Sequence, residues 1–178
     1  MPDALLSWEE YLEAVAVGDE RQDAAEREGW RDDYDNAGSN DAAVHRQQHI
    51  DGAVAERAFA KWSGLPWTGK DITTFAGADV GMNVQVKFRP NPAQPDLSVR
   101  AKDNSEHIYI LAHRPVKGDP LLVRFVGWIR GSMAKRIGLA VTSKAGRVVY
   151  YVKPPMLNPM PEHGKVSRWR RVCDERAE

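Results

Sequence analysis

Apolar positions recur at three- and four-residue steps in two early stretches of the chain, and at two-residue steps in several later ones. In residues 4–17 (ALLSWEEYLEAVAV), Leu5, Trp8, Leu12 and Val15 line up on one helical face, and Ser7 with Glu10 has capping-box spacing. Gly18 is read as the end of this helix. Residues 20–42 are polar and acidic, broken by Gly29, Asn36, Gly38 and Asn40, and read as part helix and part loop. A second helix is predicted over residues 43–63, with Ile50, Val54, Ala58 and Trp62 on its apolar face and Gly64 as its stop.

Beyond Gly64 the period shortens. Residues 84–88, 97–100, 107–112, 121–129 and 148–152 are short runs of β-branched or aromatic residues. Turn signals at Pro90-Asn-Pro, Asp103-Asn104, Lys117-Gly-Asp-Pro and Lys144-Ala-Gly separate them. Residues 132–137 read as a short helix. The stretch from Pro154, with Pro155, Pro159 and Pro161, reads as irregular, and residues 166–176 as a closing basic helix. Helices first and strands afterwards predict an α+β domain whose sheet is packed by the N-terminal helices. The chain divides into an acidic helical segment (1–42), a core (43–155) and a basic, Pro-rich tail (156–178).

Composition narrows the class. At 178 residues the chain suits one domain with modest extensions, and ordinary Gly and Pro counts exclude collagen-like or tail-like chemistry. A single cysteine, Cys173, excludes an internal disulfide and fits a reducing cytosol. No basic and apolar leader opens the sequence, and its most apolar stretch, 121–129, is short and interrupted by Arg124. The expected setting is therefore cytoplasmic, without a membrane partner.

Net charge is zero, which at first argues against a nucleic-acid partner. The zero is a cancellation. Residues 1–50 carry 13 acids and 4 arginines, a net of −9; the remainder carries 21 cations and 12 acids, a net of +9. Such polarity raises the expectation of an anionic partner for the basic part, against the plainer reading of a solvated acidic helix.

Candidate chemistry concentrates in Phe75-Ala-Gly-Ala-Asp79-Val-Gly-Met-Asn-Val84-Gln85-Val86-Lys87. Asp79 opens a tight turn, and the strand after it turns Gln85 and Lys87 to one face and Val84, Val86 and Phe88 to the other. A carboxylate and an amide carbonyl are hard oxygen ligands suited to Mg²⁺ or Mn²⁺. A lysine beside such an ion can orient or deprotonate a water attacking phosphorus. The alternative is a β-hairpin with Asp79 capping its turn and Gln85 and Lys87 on a solvated face.

The string Asp79…Gln85-Val86-Lys87 resembles the PD-(D/E)xK nuclease superfamily, in the variant where Gln replaces the acid. Gly52-Ala-Val-Ala-Glu56 resembles the helix that contributes a further glutamate in that superfamily. Together with Asp79-Val-Gly and Val126-Gly-Trp-Ile-Arg130-Gly, the layout over residues 45–155 is similar to small phage proteins of the superfamily. The resemblance implies a restriction-endonuclease-like mixed sheet flanked by helices, Mg²⁺-dependent (or Mn²⁺-dependent) phosphodiester hydrolysis and, for a phage product, a host-cytoplasmic setting. It implies a metal held by Glu56, Asp79, Gln85 and the Val86 carbonyl, with Lys87 serving catalysis.

Other residues carry weaker signals. His45 and His49 sit four apart on the second helix, but no third zinc ligand has motif spacing. Asp103 reads as a turn residue, and Trp128, Trp62 and Trp67 as core. Gly127 and Gly131 read as backbone kinks beside a cleft. Arg89, Arg130, Lys135, Arg136, Arg168, Arg170 and Arg171 are candidate phosphate contacts, with Lys165 alongside and Trp169 as a stacking surface; a solvated tail explains the last group equally well.

Two functions follow. The first is a metal-dependent nuclease acting on DNA. The second is a catalytically silent module on the same fold that binds nucleic acid or protein, which Gln85 in place of an acid favours. The acidic first 50 residues would either cover the basic face or recruit a basic protein partner.

Overall fold

Short-range signals set the helices. Ser7 and Glu10 form the capping box in full: the Ser7 N–H donates to Glu10 Oε2 at 2.8 Å and the Glu10 N–H to Ser7 Oγ at 3.2 Å. Helix α1 (Trp8–Arg27) starts there, and α2 (Ala42–Ser63) stops at Gly64, whose φ of 67° is the left-handed conformation a C′ glycine adopts. The computed structural model describes residues 1–27, 42–69, 77–90, 96–115, 119–143 and 146–162.

Two features of α1 differ from the sequence reading. Residues Asp3–Leu5 form a strand, β1, so the helix begins later, and Gly18 lies inside it rather than ending it. The inward face is Ala14, Val17, Gly18, Gln22 and Ala24, while Leu5, Trp8 and Leu12 are exposed. Small side chains let α1 lie close on α2: a Cβ on Gly18 would stand 2.5 Å from Ile50 Cα. Close backbone approach thus outweighs the burial of larger apolar residues.

The strands are β2 (Val84–Arg89), β3 (Leu97–Arg100), β4 (Ile108–His113), β5 (Leu122–Arg130), β6 (Leu139–Thr142) and β7 (Val148–Val152), with a short helix, α3 (Gly131–Ile137), after β5. The four-stranded mixed sheet runs β1-β5-β4-β2, and β2 is parallel to β4, its other pairings being antiparallel. A second, antiparallel sheet runs β3-β7-β6; β6 was not anticipated. The chain is α+β with a mixed sheet and three helices among the described residues. None of these helices is long and apolar enough to cross a membrane.

The mixed sheet is covered on both faces. Ile108, Ile110 and Ala112 of β4 join Val54, Ala58, Phe59 and Trp62 of α2, while Tyr109 and Leu111 join Leu97, Val99, Ala134 and Val152 on the other side. A bulge helps β5 serve both. Phe125 pairs with Ala112 and Gly127 with Leu111, leaving Val126 as the extra residue. Parity shifts there, so Val123 and Phe125 face the helices before the bulge, and Ile129 faces the second core after it. Asp103 holds its turn as expected, accepting from the Arg100 N–H and Nε, both at 3.0 Å. Gly127 and Gly131 sit at close backbone crossings. They admit the close passage of Leu157–Asn158 and of Asn104–Ser105 with Tyr109.

Acids of the first 27 residues pair with cations of the body. Asp3 binds Arg124, Glu10 binds Arg57 and Lys61, Glu13 binds Arg57, and Asp19 and Asp23 bind Arg46.

Candidate metal centre

The centre is built where the free edge of β2 meets the C-terminal half of α2. Val84 pairs with Val80 across that edge: the Val80 N–H donates to the Val84 carbonyl at 3.2 Å, and the Val84 N–H returns to Val80 at 3.3 Å. Val86, two residues on, has the same backbone orientation, and its N–H donates to Asp79 Oδ2 at 2.7 Å. Strand alternation therefore turns the Val86 carbonyl to the open edge as well. The Asp79 backbone is fixed on two sides. Its N–H donates to the Val84 carbonyl at 2.8 Å, and its carbonyl accepts from Thr68 at 3.2 Å and Gly69 at 2.7 Å.

Glu56 approaches from α2. It is only 5% exposed, yet both carboxylate oxygens are partnered. Arg21 of α1 grips it in a two-pronged pair, Nη1 to Oε1 at 2.9 Å and Nη2 to Oε2 at 2.6 Å, and Trp67 Nε1 donates to Oε2 at 3.2 Å. Arg21 also donates to the Gly69 carbonyl. Gly69 is the crossing point of the whole group. A Cβ there would lie 2.3 Å from Glu56 Oε2, 2.9 Å from Arg21 Nη2 and 3.0 Å from the Asp79 carbonyl oxygen.

Charge is out of balance at Asp79. Burial, then the neighbouring Glu56 carboxylate, pushes its carboxyl up to about 7, against the opposing influence of Lys87, the Val86 N–H and Arg21. Burial works against the Arg21 charge, but Glu56 and then Asp79 hold the guanidinium above its ordinary value. Arg21 is thus shared between both carboxylates, and Lys87 adds a second positive charge at Asp79.

Gln85 and Lys87 lie on the sheet face away from α2, half-buried rather than solvated, because β4 places Tyr109 opposite Gln85. Lys87 Nζ stands 5.8 Å from the Tyr109 ring centroid and 3.5 Å from Gln85 Oε1. Gln85 Nε2 donates to the Gly77 carbonyl at 2.7 Å, tying the strand to the loop that carries Asp79. His107 is close enough to feel Lys87; burial and then that charge lower its pKa, which keeps the imidazole neutral at pH 7.

The candidate residues therefore fall into groups. Glu56, Asp79 and the Val86 backbone adjoin one another, and Asp79 links them electrostatically to Lys87, which Gln85 partners. Among the described residues no three His, Cys, Asp or Glu side chains gather as a metal cluster, His45 and His49 included. Any cation here would rest on two carboxylates completed by amide oxygens.

The candidate phosphate contacts are dispersed. Arg89 is tied to the Asp96 carbonyl and Ser98 Oγ, and Arg130 occupies the N-cap position of α3 without a side-chain capping bond. Lys135 is turned inward onto the Ala101 and Asp103 carbonyls and Ser105 Oγ, so it closes a turn; Arg136 is exposed. Lys165, Arg168, Trp169, Arg170, Arg171 and the predicted basic helix lie outside the described residues.

Sequence reasoning missed Arg21, Trp67 and Gly69. Arg21 left one usable signal: it falls three residues after Gly18, where helical spacing carries the inward stripe of Ala14, Val17 and Gly18 onward. A cation on an inward stripe calls for a buried acid. The open recess of about 250 Å³ lined by Asp3, Ala4, Leu5, Lys61 and Trp62 sits at the β1 edge, across the sheet from β2, and is no part of this centre. No family model matches the chain, and no curated protein or solved structure matches it either.

Proposed function

We propose that the protein is a metal-dependent nuclease of the PD-(D/E)xK type, hydrolysing DNA phosphodiesters at the centre formed by Glu56 and Asp79. The observation that carries this reading is the Asp79 carboxyl, half-buried beside Glu56 and raised to about 7. At half-buried Asp79, desolvation and the nearby Glu56 carboxylate outweigh Lys87 and Arg21, an imbalance that a divalent cation would relieve.

The donors fit such an ion. Asp79 keeps Oδ1 beyond its bond to the Val86 N–H, the Val86 carbonyl turns to the same edge, and Glu56 would join by exchanging part of its pairing with Arg21 and Trp67. All are hard oxygens, as Mg²⁺ or Mn²⁺ prefers. Gln85 joins least readily, because both ends of its amide are engaged. When bound, the ion would supply Lewis-acid stabilisation of charge developing on the phosphate. The protein's own part is positioning. Lys87, braced over Tyr109, holds a positive charge beside Asp79 and orients the attacking water.

A second reading, a catalytically silent module on a restriction-endonuclease-like fold, draws on one feature. Arg21 already neutralises Glu56 from within the fold, where a cation would otherwise stand. Purified protein incubated with supercoiled, linear and single-stranded DNA, with Mg²⁺ or Mn²⁺ and with EDTA, separates the two. The nuclease reading expects metal-dependent cleavage that Asp79→Ala abolishes; equal cleavage by both proteins refutes the mechanism. DNA binding without cleavage under every condition selects the silent module.

A further inference from the structure

Arg21 projects from α1 one helical turn beyond Gly18, where α1 and α2 lie closest. Its side chain is 12% exposed, and that of Glu56 6%. Nη1 and Nη2 take one Glu56 oxygen each, and Nη2 also meets the Gly69 carbonyl. One guanidinium thereby ties together α1, α2 and the segment that carries Trp67 and Gly69. The other polar ties of this half of α1 are lighter. Asp19 and Asp23 reach Arg46 through exposed pairs, and Gln22 bonds to Glu26 within α1 itself. Exposed pairs contribute little, whereas losing one partner of a buried pair is costly. Among the described residues, Arg21 is therefore the one buried polar tie between α1 beyond Gly18 and the body.

That tie obstructs the centre it adjoins. Both Glu56 oxygens already face a cation, and Trp67 Nε1 shares Oε2. Room is short as well, because Gly69 passes between Glu56, Arg21 and the Asp79 carbonyl with no space for a side chain. A divalent ion drawn to Asp79 would meet a guanidinium of like sign at the next carboxylate. Like charges repel strongly where little water screens them. Glu56 can therefore serve the guanidinium or the ion in full, but not both.

We infer, resting on the reading of Glu56 and Asp79 as a metal centre, that Arg21 is the resident counter-cation of Glu56, which a divalent ion must displace. Arg21 then sets the metal affinity of the centre, and the attachment of α1 answers to its occupancy. Coupling of this kind is reciprocal: the factor by which Arg21 lowers metal affinity is the factor by which bound metal weakens the Arg21 tie. A residue that merely braced Glu56 would act with the opposite sign. Removing a brace misplaces a ligand and weakens metal binding, whereas removing a competitor tightens it.

Titration of the full chain with Mn²⁺ in the absence of DNA, read by electron paramagnetic resonance of the free ion, tests this. Arg21→Gln, which keeps a hydrogen-bonding side chain but removes the charge, is expected to bind Mn²⁺ about ten-fold more tightly than the wild type. Arg21→Lys, which keeps the charge, should stay near the wild-type affinity. Asp79→Asn added to Arg21→Gln should cancel the gain, which assigns the ion to this centre. A second readout needs no variant. In wild type with Mn²⁺ bound, amide hydrogen exchange should quicken in residues 19–27 of α1 and stay unchanged in residues 8–17. Equal or weaker Mn²⁺ binding by Arg21→Gln overturns the proposal, as does unchanged or slower exchange in residues 19–27. The nuclease reading is scored separately. Mn²⁺ bound equally by wild type, Arg21→Gln and Arg21→Lys sinks the role of Arg21 and leaves that reading standing. Mn²⁺ bound by Arg21→Gln alone upholds Arg21 and refutes a wild-type nuclease, and no binding by any folded protein overturns both.

Discussion

Replacing Asp79 with Asn isolates the charge imbalance at the centre. An aspartate in an unfolded chain titrates near ~3.9, whereas Asp79 in the fold titrates at about 7. The folded state then holds a proton that the unfolded state has released, so stability falls as pH rises from about 4 through about 7. The gap corresponds to about 4 kcal/mol lost by alkaline pH. Asn stays neutral and its Oδ1 can still accept from the Val86 N–H, 2.7 Å from Asp79 Oδ2, so it stands in for the protonated carboxyl. Asp79→Asn should thus be about 4 kcal/mol more stable than the wild type at pH 8.5 and close to it at pH 4. Urea denaturation at the two pH values measures this. A variant no more stable at pH 8.5, or an equal difference at both pH values, refutes the reasoning. Adding Mg²⁺ at about 100 times its Kd should stabilise the wild type by about 2.7 kcal/mol at pH 8.5 and the variant by clearly less.

Three further outcomes follow from the same geometry. Arg21→Met leaves Glu56 buried without its guanidinium and should cost about 3–5 kcal/mol by urea denaturation, with Arg21→Met/Glu56→Leu recovering most of it; an additive double variant would show the pair uncoupled. Gly18→Ala gains about 1 kcal/mol of helix propensity but sets a Cβ 2.5 Å from Ile50 Cα, so a net loss of about 1–2 kcal/mol is expected in thermal melts. Ser7→Ala removes the hydroxyl end of the capping box and should lower stability by about 1 kcal/mol, read as a lower urea midpoint at unchanged slope.

The amino-acid sequence by itself determined what neighbours along the chain decide. The Ser7–Glu10 box, the Gly64 stop, the Asp103 turn and most strands were legible because each depends on residues within a few positions, or on a local period. The order of Glu56, Asp79 and Gln85-Val86-Lys87 was legible in the same way. Tertiary structure alone decided the rest. Gly18 reads locally as a stop, yet it continues α1 because Ile50, 32 positions away, needs the space a side chain would fill. Leu5, Trp8 and Leu12 read as a core face, yet they are exposed because small residues bring α1 closer to α2. Arg21 has no motif, and its pairing with Glu56 spans 35 positions. The charge polarity was visible as −9 and +9, but only packing showed the acids of β1 and α1 closing onto Arg46, Arg57, Lys61 and Arg124. Local preferences are written in short windows; the energies of close approach and buried charge depend on which distant windows meet.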